Sequence, residues 1–374
     1  MITKPRGLYV HIPFCVRKCN YCDFCSYPVC ELGREAEEAY ICSLISEIKS
    51  YKREEPICID TVFFGGGTPS LLSTYSIGKI FVAIRSTFAI APGAEITLEA
   101  NPGTLTEEKL RAYKAVGVNR LSIGLQSIRE NELKKLGRIH NCSNFLESYA
   151  LARKVGFENI SVDLMYGIPE QTLDSFRETL DGVIALSPEH ISAYGLIVEE
   201  GTPFFDNRDK LNLPDEDTEC DMYALACDRL RSRGYSHYEI SNYAKPGRES
   251  RHNLHYWHSD EYIGVGVSAY SYFDGHRFCN SRDFAQYLKN FKSVSSFETA
   301  ENSGEFEYAM LAFRLSEGLS LEDYEARFSK SFTDGRETAI RRYIDLGYMT
   351  LQDGRLALTE RGFYLSNAIL ADLL

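Results

Sequence analysis

No run of eighteen apolar residues occurs anywhere in the 374-residue chain, so no segment is long enough for a membrane-spanning helix. The start, MITKPRGLYVHIPF, has no apolar stretch fit for the core of a secretory signal. Basic charge is also scarce: 41 lysines and arginines stand against 53 aspartates and glutamates, a net charge of −12. That balance argues against nucleic acid as a partner held by bulk charge, and against attachment to anionic lipid. Repeats and low-complexity tracts are missing, and there is one tryptophan, Trp257. What remains is ordinary globular composition, 44% apolar and 25% charged. It suits two or three domains, or one barrel with an appendage. The expected location is the cytosol, where thiols stay reduced.

Cysteine usage stands out. Five of the eleven cysteines fall between Cys15 and Cys30. The other six (Cys42, Cys58, Cys142, Cys220, Cys227 and Cys279) are scattered and read as small core hydrophobes. The cluster reads as a metal site.

Six apolar runs rich in β-branched residues, at 8–12, 61–64, 96–99, 120–124, 160–166 and 191–197, predict buried strands. Helical patterns at 35–51, 70–88, 107–115, 144–155, 173–186 and 217–233 alternate with them. Thr104 and Glu107 fit a capping box before the third helix. The alternation predicts an α/β fold with parallel strands. Six units are too few for a full eight-stranded barrel, which leaves an open doubly wound sheet or a partial barrel. Cys15, Gly65–Thr68, Glu99, Gln126 and Asp163 all fall at or just past the carboxyl ends of strands. That placement favours a partial (β/α)6 barrel with its chemistry at that end.

After about residue 235 the rhythm changes. A β-rich connecting segment is expected over 236–300, with a hairpin at Asp274-Gly275. Residues 301–374 predict a C-terminal α+β domain. It has short helices, a second hairpin at Asp353-Gly354 and a last helix over 360–374, an order that resembles a winged helix. The DNA-binding role of such modules does not suit residues 303–374, with eight basic and twelve acidic residues.

Cys15, Cys19 and Cys22 form C-x3-C-x2-C in the loop after the first strand. Structural zinc takes four protein ligands. Three clustered thiolates suit a four-iron cluster with one iron left open. Cys25, Cys30 or His11 could supply a fourth ligand, so spacing alone leaves zinc open.

With Tyr21 before the last cysteine, the motif resembles the radical S-adenosylmethionine (SAM) enzymes. That resemblance implies a [4Fe-4S] cluster on Cys15, Cys19 and Cys22 that chelates SAM and, fed by an electron donor, splits it to a 5′-deoxyadenosyl radical. The segment Gly65-Gly66-Gly67-Thr68-Pro69 is similar to the family's glycine motif. Glycines there let backbone amides and carbonyls approach the amino-acid end of SAM. The segments at 9–15, 98–102, 122–127, 136–140 and 163–171 resemble the coproporphyrinogen dehydrogenases and their heme-chaperone relatives, so the likeness covers nearly the whole chain. It implies a SAM pocket lined by Tyr9, Gly66, Gly67, Thr68, Glu99, Gln126, Arg138 and Asp163. Arg138 would pair with the SAM carboxylate, and the two acids would accept from its amino group or ribose.

Two features separate the branches of the family. The porphyrinogen-oxidising enzymes carry a further cysteine two residues after the third; here that position is Phe24, and the cysteine stands at Cys25. They also carry a longer amino-terminal arm, whereas Cys15 follows only fourteen residues. His252, Asn253, Tyr256 and Trp257 form His-Asn-x-x-Tyr-Trp, which resembles the heme-binding motif of the HemW heme chaperones. Four of eight histidines (His237, His252, His255 and His258) lie within this neighbourhood, and histidine ligates heme iron. The resemblance implies a heme-binding protein that delivers heme to apoproteins. The alternative is an oxygen-independent coproporphyrinogen III oxidase.

Overall fold

In the computed structural model, residues 5–292, 294–296 and 303–374 are described. Six parallel strands form its centre: β1 (Arg6–Ile12), β2 (Cys58–Gly66), β3 (Ala89–Ala100), β4 (Arg120–Gln126), β5 (Ile160–Tyr166) and β6 (His190–Gly195). They pair side by side in chain order. The helices between them are α1 (Arg34–Ser50), α2 (Thr74–Thr87), α3 (Glu107–Val116), α4 (Cys142–Val155) and α5 (Leu173–Leu186), with α6 (Glu216–Arg231) after β6. This is the expected βα alternation. The ladder carries β2 and β3 well beyond their apolar centres, while β6 ends at Gly195, short of the run to Ile197.

The expected capping box at the third helix is not formed. Thr106 caps α3, accepting from the Lys109 amide at 3.2 Å. Thr104 instead donates to the Asn101 carbonyl at 2.7 Å. Two threonines compete for one helix start, and the one whose backbone is extended next to the first helical residue wins.

Both edges of the six strands are extended. β7 (Ser236–Glu239) and β8 (Asn242–Ala244) continue past β6, with β8 antiparallel to it. On the other edge β9 (Tyr262–Val265) runs parallel to β1, followed by antiparallel β10 (Tyr270–Phe273), β11 (His276–Asn280) and β12 (Val294–Ser296). The Asp274-Gly275 hairpin forms with both residues at positive φ, as a tight primed turn requires. The two ends of this twelve-stranded sheet do not pair with each other among the described residues. The barrel is therefore partial.

Within the segment expected to be β-rich, the His-Asn-x-x-Tyr-Trp run is helical: α7 (Arg251–Trp257), capped by Ser250. It closes the barrel at the amino ends of the strands. The backbone amides of Arg251 and His252 donate to Glu95 on β3, each at 3.2 Å.

The chain ends in β13 (Leu319–Ser320), β14 (Met349–Gln352) and β15 (Arg355–Leu358), a small sheet packed with short helices. The single helix expected over 360–374 is two, Glu360–Tyr364 and Ser366–Leu373, broken at Leu365. One continuous apolar core runs from the barrel into this region. The expected division at 300/301 lies outside the described residues.

Candidate cluster and cofactor site

A cavity of about 550 Å³ opens at the carboxyl ends of the strands and runs down the barrel interior. The period-2 alternation of strands builds its wall. On β4, Arg120, Ser122, Gly124 and Gln126 face the cavity. Leu121, Ile123 and Leu125, all fully buried, face the helices.

Cys15, Cys19 and Cys22 line the upper end of this cavity. Their loop is held by contacts far away in sequence. Arg17 donates to the Gly137 carbonyl at 2.6 Å, and the Asn20 side chain donates to the Lys135 carbonyl at 2.8 Å. Tyr21 packs on a small apolar cluster of Leu136, Met165, Ile168 and Phe204, each side chain worth roughly 1.5–3 kcal/mol when buried. Burial pushes the Cys15 thiol up, and the Cys22 thiol up to about 11.

None of the three candidates for a fourth ligand points here. The Cys25 thiol sits 3.6 Å from the Tyr27 hydroxyl and does not line the cavity. Cys30 is exposed. His11 donates from Nε2 to the Cys25 carbonyl at 2.8 Å, and its Nδ1 accepts from the Tyr9 hydroxyl at 3.0 Å. Three thiols without a fourth protein ligand are the donor set that fits a four-iron cluster with one open iron, and not closed structural zinc.

Seven of the eight residues named for SAM line the cavity: Gly66, Gly67, Thr68, Glu99, Gln126, Arg138 and Asp163. Tyr9 stands one layer behind, its ring 3.1 Å from where a Cβ on Gly65 would lie. The glycines do something different from what their sequence suggests. The Gly66 amide donates to Glu99 (3.2 Å), the Gly67 amide to the Ile12 carbonyl (2.8 Å) and the Thr68 amide to the Phe14 carbonyl (2.8 Å). The Gly67 and Thr68 amides clamp the strand that leads into Cys15, and the Gly66 amide is engaged by Glu99 of the same pocket. Gly66 has φ +110°, and a Cβ there would meet the His11 ring at 2.5 Å. On Gly67 a Cβ would meet the Phe14 carbonyl at 2.7 Å. Side chains are excluded at both positions.

Arg138 donates to Asn101 at 2.8 Å, to the Gly124 carbonyl at 2.6 Å and toward the Cys19 sulfur at 3.6 Å; its buried Nε has no partner. Burial works against its charge, but Tyr21 and Cys19 hold its pKa above the ordinary value. Burial pushes the Glu99 carboxyl up to about 8, helped by the charge of Asp163. Burial also raises Asp163, against the hydrogen bond from Ser122 at 3.0 Å. Gln126 sits at φ +71°, where the β4–β5 register shifts. Such a bulge re-aims a side chain, and the Tyr194 hydroxyl donates to Gln126 at 2.8 Å. Asn101, which bridges Thr68 and Arg138, was missed as a site residue although it lies inside the Leu98–Pro102 match.

The histidine-rich motif is elsewhere. His252 is 1% exposed. Its Nδ1 is bonded to Thr61 and its Nε2 to Tyr256, both at 2.8 Å, and its ring stacks on Phe63. Burial and the neighbouring His255 charge lower its pKa to about 3. In this conformation neither nitrogen is free for iron. His255 is bound to Asp60 at 2.8 Å and to Asp260 at 3.2 Å. Burial opposes its charge, yet those two hydrogen bonds push its pKa up to about 9. Asn253 faces the main cavity. Trp257 and the half-exposed His258 instead line a second cavity of about 340 Å³, with Tyr308, Arg327 and Arg355.

The radical SAM superfamily model matches residues 9–183, and the HemN C-terminal domain model matches residues 306–365. The heme chaperone HemW of Lactococcus lactis is 36% identical over 99% of this chain and 97% of its own length. HemW of Bacillus subtilis is 33% identical over 97% and 98%, and HemW of Escherichia coli 36% over 98% and 97%. The solved coproporphyrinogen III oxidase (HemN) of Escherichia coli superposes with a TM-score of 0.83 at 22% identity, over 99% of this chain and 90% of that one; this shows a shared fold. The chain belongs to the HemW family of radical SAM proteins.

Proposed function

We propose that the chain binds heme and delivers it to heme-requiring apoproteins, in the cytoplasm, with a [4Fe-4S] cluster and SAM as resident cofactors and an electron donor serving the cluster. The observation that carries this reading is full-length similarity to proteins named heme chaperones. Phe24 agrees with it: the side chain is 67% exposed where the oxidising branch has a cysteine. Cys15, Cys19 and Cys22 would hold the cluster, and Gly66, Gly67, Thr68, Glu99, Gln126, Arg138 and Asp163 would hold SAM, with Tyr9 supporting from behind. When bound, the cluster supplies redox chemistry toward SAM. Arg138 offers a cation for the SAM carboxylate, and Glu99 an acceptor for its amino group. The chain is read as three parts, 1–235, 236–300 and 301–374.

The outward end of α7 is the proposed heme surface. His258 is bonded through Nε2 to Glu317 at 3.1 Å, and its Nδ1 has no hydrogen-bond partner among the described residues. Trp257 and Tyr308 line this cavity with one face of each ring already covered, by Arg314 at 4.4 Å and Arg327 at 4.9 Å, which leaves the other face for a macrocycle. Arg327 offers a cation to a heme carboxylate, whereas Arg355 is paired with Glu317 at 3.1 Å. Buried His252, bonded to the half-buried Tyr256, positions this end of the helix. The test is a heme titration followed by visible absorption and by quenching of Trp257 fluorescence. His258→Ala should lower heme affinity about tenfold or more, and His252→Ala should act through helix stability. Unaltered affinity and spectrum in a folded His252, His255 and His258 triple-alanine variant would move heme elsewhere.

A further inference from the structure

Below the residues assigned to SAM, the barrel floor holds a charge without an acceptor. Arg120 opens β4, is 2% exposed and lines the cavity. Its guanidinium makes no hydrogen bond or ion pair among the described residues, and its buried Nε is unpartnered. Opposite it in register is Thr97, fully buried, whose hydroxyl also has no partner. The neighbours are otherwise engaged. His190 is bonded to Ser161 and Tyr238 at 2.8 and 2.9 Å. Ser122 donates to Asp163, and Ser192 to Asn242. Asn253 of α7 also lines the cavity, and its side-chain amide has no hydrogen bond among the described residues. Glu99 and Asp163 feel the Arg120 charge across the cavity, but neither accepts a hydrogen bond from it, and buried polar groups are nearly always satisfied.

We propose that Arg120, with Thr97 and Asn253, forms a second ligand subsite inside the barrel, taking the carboxylate of a small organic acid that lies beneath SAM. The planar guanidinium fork matches a carboxylate. A monocarboxylate brings one negative charge toward the Glu99 and Asp163 carboxyls, whereas a phosphate dianion would bring two. Helix α7 closes the lower mouth, so the acid enters from the end that carries the cysteines. Asn253 belongs to the His-Asn-x-x-Tyr-Trp motif but lines this cavity, whereas the proposed heme surface is built from Trp257, His258, Tyr308 and Arg327 around a different one.

The experiment is thermal unfolding of the cluster-loaded protein in sodium propionate, with sodium phosphate and sodium chloride at matched ionic strength. Propionate should give a saturable rise in Tm of roughly 2 °C at ten times its Kd. Chloride and phosphate should not give it. Arg120→Gln should abolish the rise, and Asn253→Ala, which leaves the guanidinium in place, should weaken it and serves if Arg120→Gln does not fold. No saturable rise in the wild type, an equal rise with phosphate, or an undiminished rise in Arg120→Gln (or, where that variant does not fold, in Asn253→Ala) overturns the proposal. Heme titration of the same proteins reports on the other surface, so failure of one reading is distinguishable from failure of the other.

Discussion

The cysteine end of the barrel and the histidines of the helix that plugs its other end are both polar, and they are used in opposite ways. At the upper end, Arg138 keeps an unpartnered Nε, three thiols face a common space, and Glu99 has a single backbone donor. At the lower end, both ring nitrogens of His252 and both of His255 are taken, by Thr61, Tyr256, Asp60 and Asp260. Polar groups that satisfy one another hold a fold together; polar groups left short of partners around a cavity are available to a ligand. Residue type does not distinguish the two cases, since histidine serves as metal ligand and as structural hydrogen-bonding group alike.

The sharpest way to break this comparison is at the cysteines. Replacing Cys15, Cys19 and Cys22 by alanine should take the anaerobically reconstituted protein from about four irons to none, with circular dichroism unchanged. Replacing Cys25 should leave the iron content as it was. Stoichiometric zinc without iron–sulfur absorbance in anaerobically purified protein would sink the assignment.

At the lower end the expected effect is on stability. His255→Gln at pH 7 should cost about 3 kcal/mol, the low end for breaking a buried ion pair, because Asp60 and Asp260 keep some exposure. The folded-state pKa of His255 is raised, so its contribution is complete below the unfolded value of about 6.5. It fades as pH rises through about 9. Urea titrations should therefore show wild type and variant converging above pH 9; a gap that stays constant would mean the histidine acts by packing alone.

Smaller effects are expected at the SAM residues. Arg138→Ala and Glu99→Ala should each weaken SAM binding about tenfold, the loss of one charge-assisted hydrogen bond, measured by calorimetry on cluster-loaded protein. Unchanged affinity in both places the pocket elsewhere. The smallest effect is a pH dependence. The Glu99 carboxyl is raised to about 8, so it is largely protonated at pH 7 and a better acceptor for a cationic amine above pH 8. SAM affinity should rise a few-fold between pH 6.5 and 8.5, and Glu99→Gln should flatten the rise.

Much of the upper end was legible because it is encoded locally. C-x3-C-x2-C needs only a tight loop, and a glycine triplet at a strand end announces close backbone approach. Even there the role of the amides was misjudged. Whether an amide is free depends on the strand beside it, and β1 continuing into Phe14 consumes two of them. Asn20 and Arg17, which fasten the cysteine loop to residues more than a hundred positions later, carry no signal in the chain around them. The lower end was less legible. His-Asn-x-x-Tyr-Trp reads in the sequence as a heme motif in a β-rich segment, yet it is a helix that plugs the barrel, and nothing in the 120–124 run marks Arg120 as facing a cavity.

The sequence by itself determined what short-range chemistry determines: alternating strands and helices from apolar periodicity, hairpins at both Asp-Gly pairs, and a thiolate cluster from spacing. Only the tertiary structure decided which groups are spent and which are free. It set β1 against both β2 and β9, brought α7 beneath strands some 190 residues away, and left Arg120 without an acceptor. The physical reason is that a hydrogen-bonding group is defined by its partner. For buried groups that partner comes from a distant part of the chain, which local pattern does not encode.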